Sequence, residues 1–267
     1  MSTESSEPIL RVERLGRVCL LTLNRPKALN AFNDDLYDAL CIALDDAATS
    51  PDVAVVVLTG SGRAFSAGQD LAELENPRRH DDGLRHGFSP FIERVESFPK
   101  PLIAAVNGIG IGIGLTILPH CDLVLIAEDA RVRAPFVSLG VTAEAGSTHL
   151  LPEAIGWQET AHLLYTASWL DAERAVESGL AWRSFPSDSL LDSALEIATQ
   201  MAAMPVASLV GTKKLLLDAR LDAVRTARER ENVTFGRLAG GPANREAIAA
   251  FKEKRDPDFT RLAPEDR

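Results

Sequence analysis

The sequence predicts an α/β core followed by a helical appendage. Apolar runs of strand length alternate with helix-period segments up to about residue 185. Residues 206–252 then read as almost entirely helical. Two of the early strands also run into glycine-rich loops that open onto helices, a turn whose free N–H groups can bind an anion.

The elements follow in chain order. Ile9–Arg14 and Arg17–Asn24 alternate well enough to pair as a hairpin through Leu15-Gly16. Asn33 is placed as an N-cap, with Asp34 and Asp35 in the first turn favourable against the helix dipole. That helix runs to about Ala48, with Leu36, Leu40, Ala43, Leu44 and Ala47 on one face, and Pro51-Asp52 breaks the pattern. VAVVVLTG, from Val53, reads as a strand buried on both faces. Residues 76–87 are polar and breaker-rich and read as a mobile loop, and a helix then runs to about Phe98. Strands are expected at 102–106, 122–127 and near 131–134, and a loop at 138–147. From Ser147 the pattern is helical, with Asp171 capping one helix and Asp188 or Ser189 another.

The stretch 107–122, NGIGIGIGLTILPHCD, is the most informative. Gly108, Gly110, Gly112 and Gly114 make a poor helix and a poor strand but a good tight loop. GSGRAFSAGQDL at 60–71 is a second loop of the same kind. Two such turns can hold one developing oxyanion between them, which points to chemistry at a carbonyl. No charged residue falls between Pro101 and Cys121, so length admits a membrane span; Asn107, the glycines and the prolines oppose it. The dinucleotide spacing G-x-G-x-x-G fails, because Ile113 and Leu115 stand where its third glycine would fall.

At 267 residues and 46% hydrophobic content the chain can bury a large core. A net charge of −10 opposes nucleic acid and anionic membranes as partners, so an anionic ligand must be met by local basic groups. Arg78-Arg79 and Lys213-Lys214 read as ordinary surface pairs. Cys19, Cys41 and Cys121 are odd in number and set in apolar sequence, which describes reduced core thiols. The polar N-terminus and the C-terminal APEDR show no targeting signal, so a cytoplasmic protein is expected. No H-E-x-x-H or close ligand cluster points to a metal.

Four segments together resemble the crotonase (enoyl-CoA hydratase/isomerase) superfamily: NRPKALNAF at 24–32, GSGRAFSAGQDLAEL at 60–74, residues 101–132, and AIAAFKEKRDPDF at 247–259. The resemblance implies a spiral of ββα turns over residues 1–200 that binds acyl-CoA and carries catalysis. It also implies a helical oligomerisation region over 201–267 that builds a homotrimer or a dimer of trimers. The oxyanion donors would be the backbone N–H groups of Gln69 and Ile113. Ser66, Ala67 and Gly68 would lie along the adenine and pantetheine path, and Leu71, Gly112, Thr116 and Phe136 are further expected substrate-binding residues. Arg25, Lys27 and Leu29 would stand near the CoA phosphates, and Lys254 would reach CoA from the C-terminal region. Coenzyme A enters as part of the substrate, and no separate cofactor is implied.

Hydratases of the family use two glutamates; the corresponding positions here are Thr116 and Phe136, and neither can exchange a proton at neutral pH. Glu144, in LGVTAEAGS, instead matches the single glutamate of peroxisomal-type Δ3,Δ2-enoyl-CoA isomerases. That resemblance implies proton transfer from C2 to C4 of a 3-enoyl thioester in fatty acid metabolism. A hydratase-like enzyme, a thioester hydrolase or a non-catalytic acyl-CoA-binding protein of the same fold stay open as alternatives. A serine hydrolase does too, since A-F-S-A-G at 64–68 is one residue from G-x-S-x-G and would make Ser66 a nucleophile.

Overall fold

In the computed structural model, residues 7–70, 73 and 80–263 are described. Leu71 and the pair Arg78-Arg79 lie outside them.

β1 (Leu10–Leu15) and β2 (Val18–Leu23) form the expected antiparallel hairpin, turned at Gly16 with φ +60°. β3 (Val55–Gly60), β5 (Leu102–Val106), β7 (Leu123–Ala127) and β10 (Arg183–Phe185) extend it in parallel, in the order β1-β2-β3-β5-β7-β10. β2, β3 and β5 are buried along their whole length, which accounts for their unbroken apolar runs. A second sheet is built from β4 (Ala64–Ser66), β6 (Ile109–Ile111), β8 (Arg131–Arg133) and β9 (Trp169–Asp171). β6 corrects the sequence reading of 107–122 as a tight glycine loop running into a short helix, with no strand between. Glycine is a weak strand former, but Gly110 here passes so close to Val132 and the Gly114 carbonyl that a side chain would collide. Residues 101–121 are thus strand, short strand and turn, and no single described helix is long and apolar enough to cross a membrane.

Helix α1 (Asp34–Thr49) starts where the sequence places it, with the Asn33 side chain accepting the Leu36 N–H at 3.1 Å. Its C-terminus is closed from outside: buried Lys100 donates Nζ–H to the carbonyls of Ala47 (2.6 Å) and Ser50 (2.7 Å). Helix α2 (Phe88–Glu96) packs along α1. Residues 80–87, expected as mobile, are tied to α1: His80 and His86 stack at 3.8 Å and contact Asp34 and Asp38. Hydrogen bonds to Asp38 and Asp82 push the His86 imidazole up to about 9.

The short helix α3 (Ile113–Thr116) leads from β6, and α4 (Ser147–Ile155), α5 (Trp157–Thr166) and α6 (Ala172–Ser178) follow the 138–147 loop. Asp171 caps α6 through the Arg174 N–H, as expected. Helix α7 (Leu190–Ala202) covers β3 and β5 and starts after Ser189, whose side chain makes no cap bond. Helices α8 (Val206–Asp218), α9 (Leu221–Leu238) and α10 (Pro242–Glu253) follow. Lys213 on α8 contradicts its surface reading. It is 3% exposed and donates to the Lys100 carbonyl (2.8 Å) and Asp122 (2.7 Å), so it ties α8 to the start of β5 and β7.

Candidate active site

The two glycine loops meet. Gly68 (φ +93°) and Gly112 (φ +55°) both adopt backbone that L side chains rarely reach. A Cβ on Gly68 would lie 2.8 Å from the Ile111 carbonyl and 3.9 Å from the Gly112 Cα. Each glycine directly precedes one of the expected oxyanion donors, Gln69 and Ile113. Neighbouring N–H groups are committed: Ala67 to Leu29 O (2.9 Å), Gly68 to Ser66 Oγ (3.1 Å), Asp70 to Phe32 O (2.8 Å) and Gly112 to Arg133 O (3.0 Å). Among the described residues, no acceptor takes the N–H of Gln69 or of Ile113, the first residue of α3. Two free donors stand on adjoining loops, and Ile113 is itself buried.

Other side chains are fixed differently from expectation. Ser66 is fully buried; its hydroxyl donates to Asn30 O (2.9 Å) and accepts from Gly68 N, with no histidine partner. It braces the loop, and among the described residues no histidine stands by it as the base that a nucleophilic serine needs. Ala67 spends its N–H on Leu29 O, and Leu29 sits in left-handed backbone at φ 51°. Arg25 is also committed: its guanidinium donates to Ala31 O and pairs with Asp70 at 2.9 Å, so it ties the first signature to the second. Lys27 is exposed beside it, with no ion-pair partner among the described residues. Lys254 caps α10 in left-handed backbone (φ 55°) and is exposed to solvent; among the described residues no side-chain hydrogen bond or ion pair joins it to the two loops.

Thr116 and Phe136 are both buried. Among the described residues Thr116 Oγ1 has no hydrogen-bond partner, an arrangement that a buried hydroxyl rarely tolerates without a ligand or water. Glu144 is not a solvated loop carboxylate. It keeps partial accessible surface, yet the protein packed around it pushes its carboxyl up to about 8, first by desolvation and then through the charge of Glu231. Among the described residues its side chain has no hydrogen-bond or ion-pair partner. A surface cleft of about 460 Å³ lies behind this turn, between α4 and α9, and contains none of the donor residues.

Several residues of the site were not singled out from sequence. Asn30, fully buried with φ 56°, donates to Ser61 O (2.9 Å) and Ala64 O (2.8 Å) and receives the Ser66 hydroxyl. Tyr37 donates its hydroxyl to Gln69 Oε1 at 2.8 Å and so fixes that side chain. Burial, the charge of Glu144, and then Asp34 and Glu73 hold the Tyr37 phenol well above its ordinary range, so it remains a donor. Buried His120 donates Nε2–H to Ala145 O at 2.7 Å, and desolvation pushes it down to about 4, which keeps it neutral. Glu231, on α9, reaches the turn after Glu144. Asparagine tolerance of left-handed backbone is a signal that could have found Asn30.

Two N–H groups without an acceptor among the described residues, and a desolvated carboxylate whose charge reaches Tyr37, itself bonded to the Gln69 side chain, are equipment suited to enolate chemistry at a thioester. The chain matches the enoyl-CoA hydratase/isomerase family model over residues 13–262. It belongs to that family. A 2,3-dehydroadipyl-CoA hydratase of Escherichia coli (strain K12) is 37% identical over 94% of this chain and 98% of its own length. A 1,2-epoxyphenylacetyl-CoA isomerase of the same strain is 34% identical over 91% of this chain and 95% of its own. The crystal structure of an enoyl-CoA hydratase/isomerase from Pseudoalteromonas atlantica T6c superposes with a TM-score of 0.91 at 36% identity, covering 94% of this chain and all of the other. The protein is therefore an acyl-CoA-processing enzyme with the crotonase fold. Hydratase names predominate among its relatives, so membership alone does not select the isomerase branch.

Proposed function

We propose that the enzyme is a Δ3,Δ2-enoyl-CoA isomerase. The observation that carries this reading is that desolvation lifts the Glu144 carboxyl to about 8, where it can both take and return a proton, while buried Thr116 and Phe136 stand at the positions that the family resemblance gives to the two hydratase glutamates. Glu144 removes a proton from C2 of the 3-enoyl thioester. The C2–H electrons form the new C2=C3 bond through a dienolate whose negative oxygen is held by the N–H groups of Gln69 and Ile113. Glu144 then returns the proton to C4, and the C3=C4 bond is lost. Water neither adds nor leaves, so one carboxylate suffices.

CoA recognition falls to exposed cations in an acidic chain: Lys27 on the first signature, and Lys254 at the C-cap of α10. Leu29, Ala67 and Gly68 line the path by backbone. Oligomerisation to a trimer or a dimer of trimers is part of this reading. It is supported by Leu215, Leu216, Val233 and Phe251, four apolar side chains left more than half exposed on α8, α9 and α10. We place the enzyme in fatty-acyl metabolism in the cytoplasm, with residues 1–200 as the catalytic core and 201–267 as the assembly region.

A hydratase reaction is the second reading. Thr116 favours it, because an unpartnered buried hydroxyl can hold a water. The two separate by incubating the enzyme with 3-hexenoyl-CoA and, in parallel, with crotonyl-CoA. Rapid conversion to 2-hexenoyl-CoA with little hydration of crotonyl-CoA is expected. Robust hydration with no bond migration would replace the first reading by the second.

A further inference from the structure

We propose that Glu231, from α9, is a positioning residue for this site: it holds the turn that carries Glu144 and sets a second negative charge behind it. The inference rests on Glu144 being the acid/base group of the reading above.

Glu231 is 4% exposed and accepts three hydrogen bonds, from Gly146 N–H (2.6 Å), Thr148 N–H (2.8 Å) and Thr148 Oγ1–H (2.6 Å). These N–H groups open α4, whose N-cap, Gly146, has no side chain to satisfy them. Glu231 performs the cap from a distant helix, with its charge favourable against the helix dipole. Its grip on 146 and 148 also stabilises Ala145, a non-glycine residue at φ 65°, whose carbonyl is held from the other side by His120. The Glu144 carbonyl accepts from Ser147 N–H and Oγ–H. Every residue from 144 to 148 is thus tied at the backbone, while the Glu144 carboxyl has no hydrogen-bond partner among the described residues.

A neutral acceptor could cap the helix, so the charge is the informative part. Facing Glu144 are Glu231 from α9, Tyr37 from α1 and, beneath the turn, neutral His120. Asp34 and Glu73 lie toward Tyr37; Arg220, Arg228 and Lys213 lie toward His120. After desolvation, the Glu231 charge is what raises Glu144, and so makes it the stronger base toward C2.

The test is a pH titration of protein carrying 13C at the glutamate carboxyls, followed by NMR. The Glu144 resonance is identified by its loss in Glu144→Gln. This readout needs no turnover. A wild-type midpoint near 8 is expected. Glu231→Gln should lower it by about one unit. Glu231→Asp keeps the charge and loses reach, so it should leave the midpoint near the wild-type value while isomerase kcat falls about 10- to 100-fold. A wild-type midpoint in the ordinary carboxylate range, or one unmoved in folded Glu231→Gln, would overturn the proposal. Should Glu231→Gln not fold, the Asp variant decides: unchanged kcat overturns it and lowered kcat with an unchanged midpoint supports it. If the midpoints behave as expected but wild type shows no bond migration, the tuning stands and the isomerase reading falls.

Discussion

A carboxyl buried beside a second carboxylate holds its proton more tightly than it does in water, and for Glu144 this has a consequence for stability as well as for catalysis. Its folded value, about 8, lies above the ordinary 4.5, so between these the folded state binds more protons than the unfolded chain. The associated stabilisation is complete below 4.5 and is lost as pH rises through about 8. Glu144→Gln stays neutral throughout. Thermal unfolding at equal concentration should give the variant a higher Tm than wild type above pH 8 and a similar Tm near pH 4.5. An equal gap at both would contradict the raised value. Sequence reached Glu144 through the SLGVTAEAG context and the absence of its two hydratase counterparts. It did not reach Glu231, because one glutamate within RERENV looks like its solvated neighbours until the fold turns it inward. Arg25 shows the converse, since an arginine near a phosphate and an arginine paired with Asp70 are the same letter.

The loops work as a pair of elements. Gly68→Ala places a Cβ against the Ile111 carbonyl in backbone of φ +93°. Stability should fall by about 1–3 kcal/mol, and kcat should fall further than CoA affinity, because the Gln69 donor moves. Equal activity with a normal Tm would contradict the close approach of the loops. Lys213 is a second element-scale case. Lys213→Met takes a donor from the Lys100 carbonyl and the cation from Asp122, which keeps the Leu102 N–H (2.7 Å) and some solvent. We expect a loss of roughly 2–3 kcal/mol in chemical denaturation; a loss below about 0.5 kcal/mol, as surface sites give, would contradict it. Helix α1 was legible because its cap, its apolar period and its breaker all agree. β6 was not, because its pairing to β4 and β8 is imposed by neighbours distant in sequence. Lys213 was misread because a lysine pair carries no mark of which member faces inward.

At the scale of the whole molecule, the alternation of strands and helices and the helical C-terminal run were both visible in the periodicity. The existence of two sheets was not, since short strands such as Ala64–Ser66 and Trp169–Asp171 have too few residues for a period. The exposed apolar residues of α8, α9 and α10 belong to this scale. Sedimentation at micromolar concentration should give a trimer or a hexamer, and a monomer would contradict the assembly while leaving the fold untouched.

The central claim is that one carboxylate moves the proton from C2 to C4. Its most direct test is the turnover of 3-hexenoyl-CoA by Glu144→Gln, with wild-type CoA binding and sedimentation as controls for fold. General acid–base catalysis is worth about 10²–10⁴-fold, so isomerase kcat should fall by at least about 100-fold while CoA affinity is kept. Near-wild-type turnover in a correctly folded Glu144→Gln would contradict the account.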